Sequence, residues 1–163
     1  MQKIIVIGCP GSGKSTFARA LHDITALPLY HLDMLYWNSD GTTVPKPLFL
    51  ERLNTVLRED SWIIDGNYNA TMERRLQACD TVFFLDLPTE VCLDGIRARR
   101  GKPRPDMPWV EPVDVEDAEF TEFVRNYVSE SRPKVLALLE QYADRQIIVF
   151  HSRSEIDAYL KRR

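Results

Sequence analysis

The chain has no apolar run approaching the roughly 20 residues that span a bilayer, no low-complexity tract and no internal repeat. A membrane span is therefore not expected. The opening run Ile4-Ile5-Val6-Ile7 follows a single lysine and stops at Gly8, too short for a secretory leader with its cleavage site, so a cytoplasmic location is the expectation. Cysteine is scarce. Cys9, Cys79 and Cys92 are odd in number and lack CxxC or Cys/His ligand spacing, which points away from a disulfide framework and a zinc site. Nor is there an excess of basic charge: 21 Lys+Arg against 24 Asp+Glu give a net charge of −3, with no global field for polyanionic nucleic acid. Direct nucleic-acid binding is not expected, and any cationic function must be local. His22, His31 and His151 have no partners at ligand spacing and read as structural residues. No [NT]KxD base-reading motif occurs, which disfavours a GTPase.

What is present suits one globular domain over residues 1–163, with 44% hydrophobic and 28% charged residues. Five short apolar runs, at 3–7, 27–32, 62–65, 81–85 and 146–150, alternate with segments of helical spacing. That alternation predicts an α/β fold whose parallel sheet is covered on both faces. Phe17, Ala20, Leu21 and Ile24 form one helical stripe, and Phe49, Leu53, Val56 and Leu57 form another after Pro47. A longer stripe from Phe120 to Tyr142 keeps one register across Pro133, predicting one kinked helix or two consecutive ones. Ser152-Arg153-Ser154-Glu155 has the form of a capping box that opens a last helix. Residues 97–115 are proline-rich and carry Arg97, Arg99, Arg100, Lys102 and Arg104; they read as a lid or as a solvated charged connection.

Gly8-Cys9-Pro10-Gly11-Ser12-Gly13-Lys14-Ser15 matches GxxxxGK[ST], after the first apolar strand and before the first amphipathic helix. In that context the glycines let consecutive N–H groups wrap a polyphosphate, and the helix N-terminus adds positive charge. Lys14 is expected to bridge the β- and γ-phosphate oxygens of ATP, Ser15 to ligate Mg²⁺, and Thr16 to reach the α-phosphate. Two strands end in a carboxylate that could serve the metal, Asp65 and Asp86. Asp65 is favoured because the polar turn Gly66-Asn67-Tyr68-Asn69 follows it, whereas Asp86 precedes a helix start and could cap it. His31-Leu32-Asp33 brings another carboxylate to the same sheet edge, as a base or acceptor-orienting group or as a turn former. Arg100, Arg104 and Arg132 are candidates for stabilising a transferring phosphoryl group, Arg125 and Arg132 sharing a helix face. Arg74 and Arg75 could bind the acceptor's anionic group or solvate a helix, and Tyr36, Trp37 and Tyr68 could stack on an acceptor ring or simply pack.

At these residues the chain resembles the adenylate-kinase-like P-loop proteins of the DNA topology modulation (FlaR-type) family. The resemblance rests on GCPGSGKST, HLD, SWIIDGNY, FFLDLP, RGKPRPDM and SRPKVLALLEQY and covers essentially the whole chain. It implies a three-layer P-loop fold of the nucleoside-monophosphate-kinase type, a five-stranded parallel sheet of order 2-3-1-4-5 with a short arginine-bearing lid. It further implies Asp65 as the Mg²⁺-linked aspartate, Asp33 as the acceptor-side aspartate of shikimate- and gluconate-kinase relatives, and Arg100 and Arg104 as lid arginines. The turn DGNY stands where adenylate kinases have DGFPR, so the arginine that grips a monophosphate there is missing, which argues against AMP. The family name implies a DNA-linked phenotype, not DNA contact. The expectation is an ATP- and Mg²⁺-dependent phosphotransferase acting on a small-molecule or nucleotide acceptor, a monomer or weak homodimer. The alternative is an NTP hydrolase or nucleotide-binding regulatory protein without such an acceptor.

Overall fold

The computed structural model describes residues 1–111 and 118–163. Five strands, β1 (Lys3–Gly8), β2 (Leu29–His31), β3 (Trp62–Asp65), β4 (Thr81–Leu85) and β5 (Gln146–Phe150), form one parallel sheet of order β2-β3-β1-β4-β5. This is the predicted order. Helices α1 (Lys14–Thr25), α2 (Leu32–Tyr36), α3 (Lys46–Leu57), α4 (Asn69–Ala78), α5 (Thr89–Arg99), α6 (Ala118–Asn126), α7 (Arg132–Gln141) and α8 (Arg153–Lys161) flank it.

Successive side chains of a strand point to opposite faces, and both faces are buried. Ile4 and Val6 of β1 join Phe17, Leu21, Phe83, Cys92, Tyr127 and Ile156 in one core. Ile5 and Ile7 join Leu32, Phe49, Leu53, Trp62, Phe84 and Val135 in the other. Continuous apolar strands are thus what a sheet between two helical layers requires.

Three local expectations change. Strand β2 stops at His31, paired with Asp65 of β3, and Leu32 opens a one-turn helix, so Asp33 sits in the first helical turn rather than on the strand. An acidic residue suits that position because the helix N-terminus carries partial positive charge. In α1 the buried face is Phe17, Ala18 and Leu21, while Ile24 is 43% exposed. The long stripe does not keep one register. Between α6 and α7, residues Tyr127–Ser131 wind as a π-helix, with the Arg132 amide bonding the Tyr127 carbonyl five residues back. The wider turn resets the buried face to Tyr127, Ser131, Val135 and Leu139 and leaves Phe123 and Val128 exposed. Ser152 caps α8 as expected, accepting from the Glu155 amide at 3.2 Å, but the Glu155 carboxylate accepts from the His151 amide (2.6 Å) in place of the Ser152 amide, so only half of the capping box forms. All three cysteines are free and buried.

Candidate active site

Strand β1 ends at Gly8 and α1 begins at Lys14, so the phosphate-binding sequence spans the turn between them. Gly11 (φ 85°) and Gly13 (φ 92°) hold left-handed conformations that L side chains resist. Close packing adds a second constraint at Gly11. A Cβ there would overlap the Cys92 carbonyl of α5, and one on Gly95 of α5 would overlap the Gly11 carbonyl. Outside the loop, Arg153 of α8 donates to the carbonyls of Ser12 (3.1 Å) and Gly11 (3.4 Å). Helix α1 has no side-chain cap and no acidic residue in its first turn. Its first N–H groups therefore lack intrahelical partners, the condition under which a helix start receives an anion. Lys14 Nζ lies over the loop, 3.4 Å from the Cys9 carbonyl. Burial holds its pKa below the ordinary lysine value, with Asp65 acting in the opposite direction.

Beside the loop, Asp65 is buried at the end of β3 and its Oδ2 lies 2.7 Å from His31 Nδ1. Ser15 Oγ is 3.5 Å from the same nitrogen and accepts from Arg19 Nη1 at 3.0 Å. Ser15 and Asp65 are thus brought into one cluster. Their oxygens fit Mg²⁺, a hard ion that takes few protein ligands and completes its shell with water and phosphate oxygens. No group of three or more His, Cys, Asp or Glu able to hold a metal occurs among the described residues. Asp86 stands differently. Arg132 donates to it from Nε (2.9 and 3.0 Å) and Nη2 (2.8 Å), and His151 Nδ1 lies 3.7 Å away. Both carboxylate oxygens are engaged, and Asp86 caps no helix, since α5 begins after Pro88.

The phosphate loop opens into a cavity of about 1320 Å³. That exceeds the roughly 300–1,000 Å³ usual for one drug-sized ligand, leaving room for two. Also lining it, Tyr68 donates its hydroxyl proton to Asp33 Oδ1 at 2.5 Å and accepts a hydrogen bond from Trp37. Burial raises the Asp33 pKa; Asp65 adds to the shift and Tyr68 opposes it. Tyr36 packs edge-on against Tyr68 (5.2 Å between centroids) and Phe49 (5.3 Å). The turn carrying Tyr68 is fixed from below by Arg75, which is fully buried and donates to the carbonyls of Gly66, Asn67 and Tyr68. Burial lowers its pKa to about 10. Asn67 ties this turn to the loop by bonding both backbone groups of Gly8.

Across the cavity lies the predicted lid, of which residues 112–115 fall outside the described residues. It leaves α5 at Arg99 and runs irregularly, the Gly101 amide bonding the Glu111 carbonyl at 2.8 Å. Arg104 pairs with Glu111 (3.0 Å) and Asp106 (3.5 Å), and Arg99 approaches Glu111 (3.7 Å). Asp106 also reaches Arg19 of α1 (3.9 Å), and Trp109 packs on Trp37 with centroids 5.5 Å apart. Burial, reinforced by Arg104, lowers the Arg99 pKa.

Pro10, Gly11, Gly13, Lys14, Ser15, Thr16, Asp33, Asp65, Arg100 and Arg104 all line this cavity. Gly8 and Ser12 are buried in the loop behind it. Arg132 does not line it and is held on Asp86. Two side chains read from sequence alone fall elsewhere: His31 bridges Ser15 and Asp65, and Arg75 is buried beneath the turn and donates to its carbonyls. Arg99, foreseen only as one of the lid's cluster of cations, lines the site, and Arg19, Gly95, Trp109 and Arg153 join it unforeseen. Arg19 had a signal, lying one helical turn from Ser15, and Gly95 another, as a glycine inside a helical segment. Arg153 had none, because a contact between chain ends is set by tertiary packing.

No protein-family model matches the chain. A shikimate kinase from Acinetobacter baumannii, solved in complex with shikimate, superposes with a TM-score of 0.65 over 99% of this chain and 90% of its own, at 18% identity. The fold is that of the shikimate kinases. A second shikimate kinase, from Bacteroides thetaiotaomicron, matches this shikimate-kinase fold with a TM-score of 0.58 and 20% identity over 98% of this chain and 94% of its own. An adenylate kinase from Clostridium botulinum (strain Alaska E43 / Type E3) is 24% identical across 60% of this chain. The chain spans 59% of that adenylate kinase's length.

Proposed function

We propose that this protein is an ATP- and Mg²⁺-dependent kinase that transfers a phosphoryl group to a hydroxyl of a small acceptor. The observation that carries the reading is that one cavity is lined both by an uncapped helix start bearing Lys14 and by the Asp33 carboxylate. A phosphate loop alone would suit hydrolysis equally well. A carboxylate held by Tyr68 in the same cavity suits an attacking hydroxyl, whose proton it can accept.

In this reading the triphosphate lies on the amides from Gly11 to Thr16, with Lys14 on its β/γ oxygens. Ser15 and Asp65 would hold Mg²⁺, Asp65 kept in place by His31. The ion's contribution when bound is to neutralise charge on the phosphate oxygens. Arg99, Arg100 and Arg104 form the cationic side of the lid, closing over the phosphates and limiting wasteful hydrolysis. Arg132, bound to Asp86, acts on the frame of the site, joining α7 to the end of β4. The chain functions as a single kinase-like unit, a monomer or weak homodimer in the cytoplasm, without direct contact to nucleic acid. The alternation of SWIIDGNY, FFLDLP and RGKPRPDM supports a place among the FlaR-type proteins.

Lys14→Ala tests the reading. Loss of a charge aimed at the transferring group is expected to lower kcat by about two orders of magnitude or more in a folded variant. Near-normal turnover with an unchanged circular dichroism spectrum would remove Lys14 from the assigned role.

A further inference from the structure

We infer that the acceptor is an uncharged molecule offering a hydroxyl to Asp33 and a ring face to the aromatic wall, and that monophosphates and carboxylates are rejected. The inference rests on the kinase reading and names its substrate class. It follows from how the cavity distributes charge and apolar surface.

The wall around Asp33 is aromatic. Tyr36, Trp37 and Tyr68 line it from the sheet side and Trp109 from the lid, with Trp109 against Trp37 and above Gly41. Trp109 Nε1 is buried with no hydrogen-bond partner among the described residues, so the face of its ring, which lines the cavity, is what the residue offers an acceptor. Flat rings with polar edges suit a nucleobase, and they suit equally the C–H face of a sugar.

The cations are arranged against an anionic acceptor. Arg75, on the element that bears Tyr68, is spent on three backbone carbonyls, and Arg52 of α3 donates to the Leu35 carbonyl at 2.9 Å. Arg104, Arg99 and Arg19 each face a lid carboxylate, Asp106 or Glu111. Lys14 and Arg153 lie on loop carbonyls, on the nucleotide side. Arg100 and Lys102 remain, both on the lid. Residues 112–117 bring no Lys or Arg in sequence, only Asp114, Glu116 and Asp117 among charged residues. An acceptor carrying its own phosphate or carboxylate would meet Asp33, with Asp65 behind it, and no cation dedicated to it on that wall. A hydroxyl group meets a hydrogen-bond acceptor held in place by Tyr68.

The test uses the full-length protein with ATP and Mg²⁺, scoring ADP formation above the no-acceptor rate. Two uncharged arms, five common nucleosides and a hexose panel, are set against their matched monophosphates and shikimate. Tryptophan fluorescence is titrated with the same compounds in the presence of a non-hydrolysable ATP analogue, in a Trp62→Phe background so that the signal comes from Trp37 and Trp109. At least one uncharged arm is expected to raise ADP formation tenfold or more and to quench fluorescence, with its phosphorylated counterpart at least 100-fold lower in kcat/KM. The responding arm distinguishes nucleoside from sugar. Preference for a monophosphate or for shikimate would overturn the inference while leaving the kinase reading intact. Uncharged compounds that quench without transfer would uphold the binding class and remove the kinase reading. Absence of both quench and transfer across the uncharged arms would overturn the inference. Trp109→Ala is expected to raise the acceptor KM at least tenfold and Trp109→Phe to restore most of the affinity; equal KM values in all three proteins would also contradict it.

Discussion

In the proposed kinase reading, Asp33 serves chemistry at the expense of stability. Its pKa lies above the ordinary aspartate value of 3.8 because burial disfavours the charge more than Tyr68 and Lys14 favour it. Between the ordinary and the folded value the native state binds more protons than the unfolded chain, so stability falls as pH rises through that window. The cost is absent in acid below both values and complete above the folded value. Asp33→Asn keeps an oxygen for Tyr68 and removes the charge. Thermal scans should therefore show the variant more stable than the parent near neutrality, with the difference disappearing in acid, while transfer falls about 100-fold or more. A variant less stable at neutral pH would show that the carboxylate is net favourable in the fold. Arg75 behaves in the opposite way, because its guanidinium satisfies the carbonyls of Gly66, Asn67 and Tyr68. Arg75→Met is expected to lose roughly 3 kcal/mol in denaturant unfolding by leaving these groups unpaired; a loss under about 1 kcal/mol would mean that they find other partners.

At the scale of elements, the strands and the phosphate loop were legible because each has a local cause. Continuous apolar runs mark strands buried on both faces, and the glycines mark a turn whose backbone takes left-handed conformations at Gly11 and Gly13. What escaped the sequence was decided across elements. The π-wound turn at Tyr127–Ser131 shifts the stripe that the sequence carries unbroken, and it sets Arg132 on Asp86. His31 carries no ligand spacing along the chain, yet the pairing of His31 with Asp65 between β2 and β3 makes them neighbours. Gly95 gives a direct test of packing between α5 and the loop. Gly→Ala inside a helix ordinarily gains about 1 kcal/mol. Here the added Cβ would strike the Gly11 carbonyl. Gly95→Ala is expected to weaken ATP binding at least tenfold in a calorimetric titration, and unchanged affinity would show that the loop does not depend on this contact.

For the whole molecule, the lid joins both halves of the site through two unlike contacts, Asp106 on Arg19 of α1 and Trp109 on Trp37 after α2. Asp106 is buried and shared between Arg104 and Arg19, so removing its charge should release the lid while leaving the sheet intact. Asp106→Asn is expected to speed amide exchange in residues 101–111 with Tm changed by no more than about 4 °C. Unaltered exchange there would place closure on the tryptophans alone. The central claim is that the turn between β1 and α1 grips a triphosphate whose terminal group faces Asp33. It is tested most directly by a crystal structure with a non-hydrolysable ATP analogue and Mg²⁺. The analogue should lie with its phosphates on the amides of Gly11 to Thr16, Lys14 on the terminal two, and the γ-phosphorus directed at the Asp33 wall. A nucleotide bound elsewhere, or a terminal phosphate turned away from Asp33, would contradict the claim.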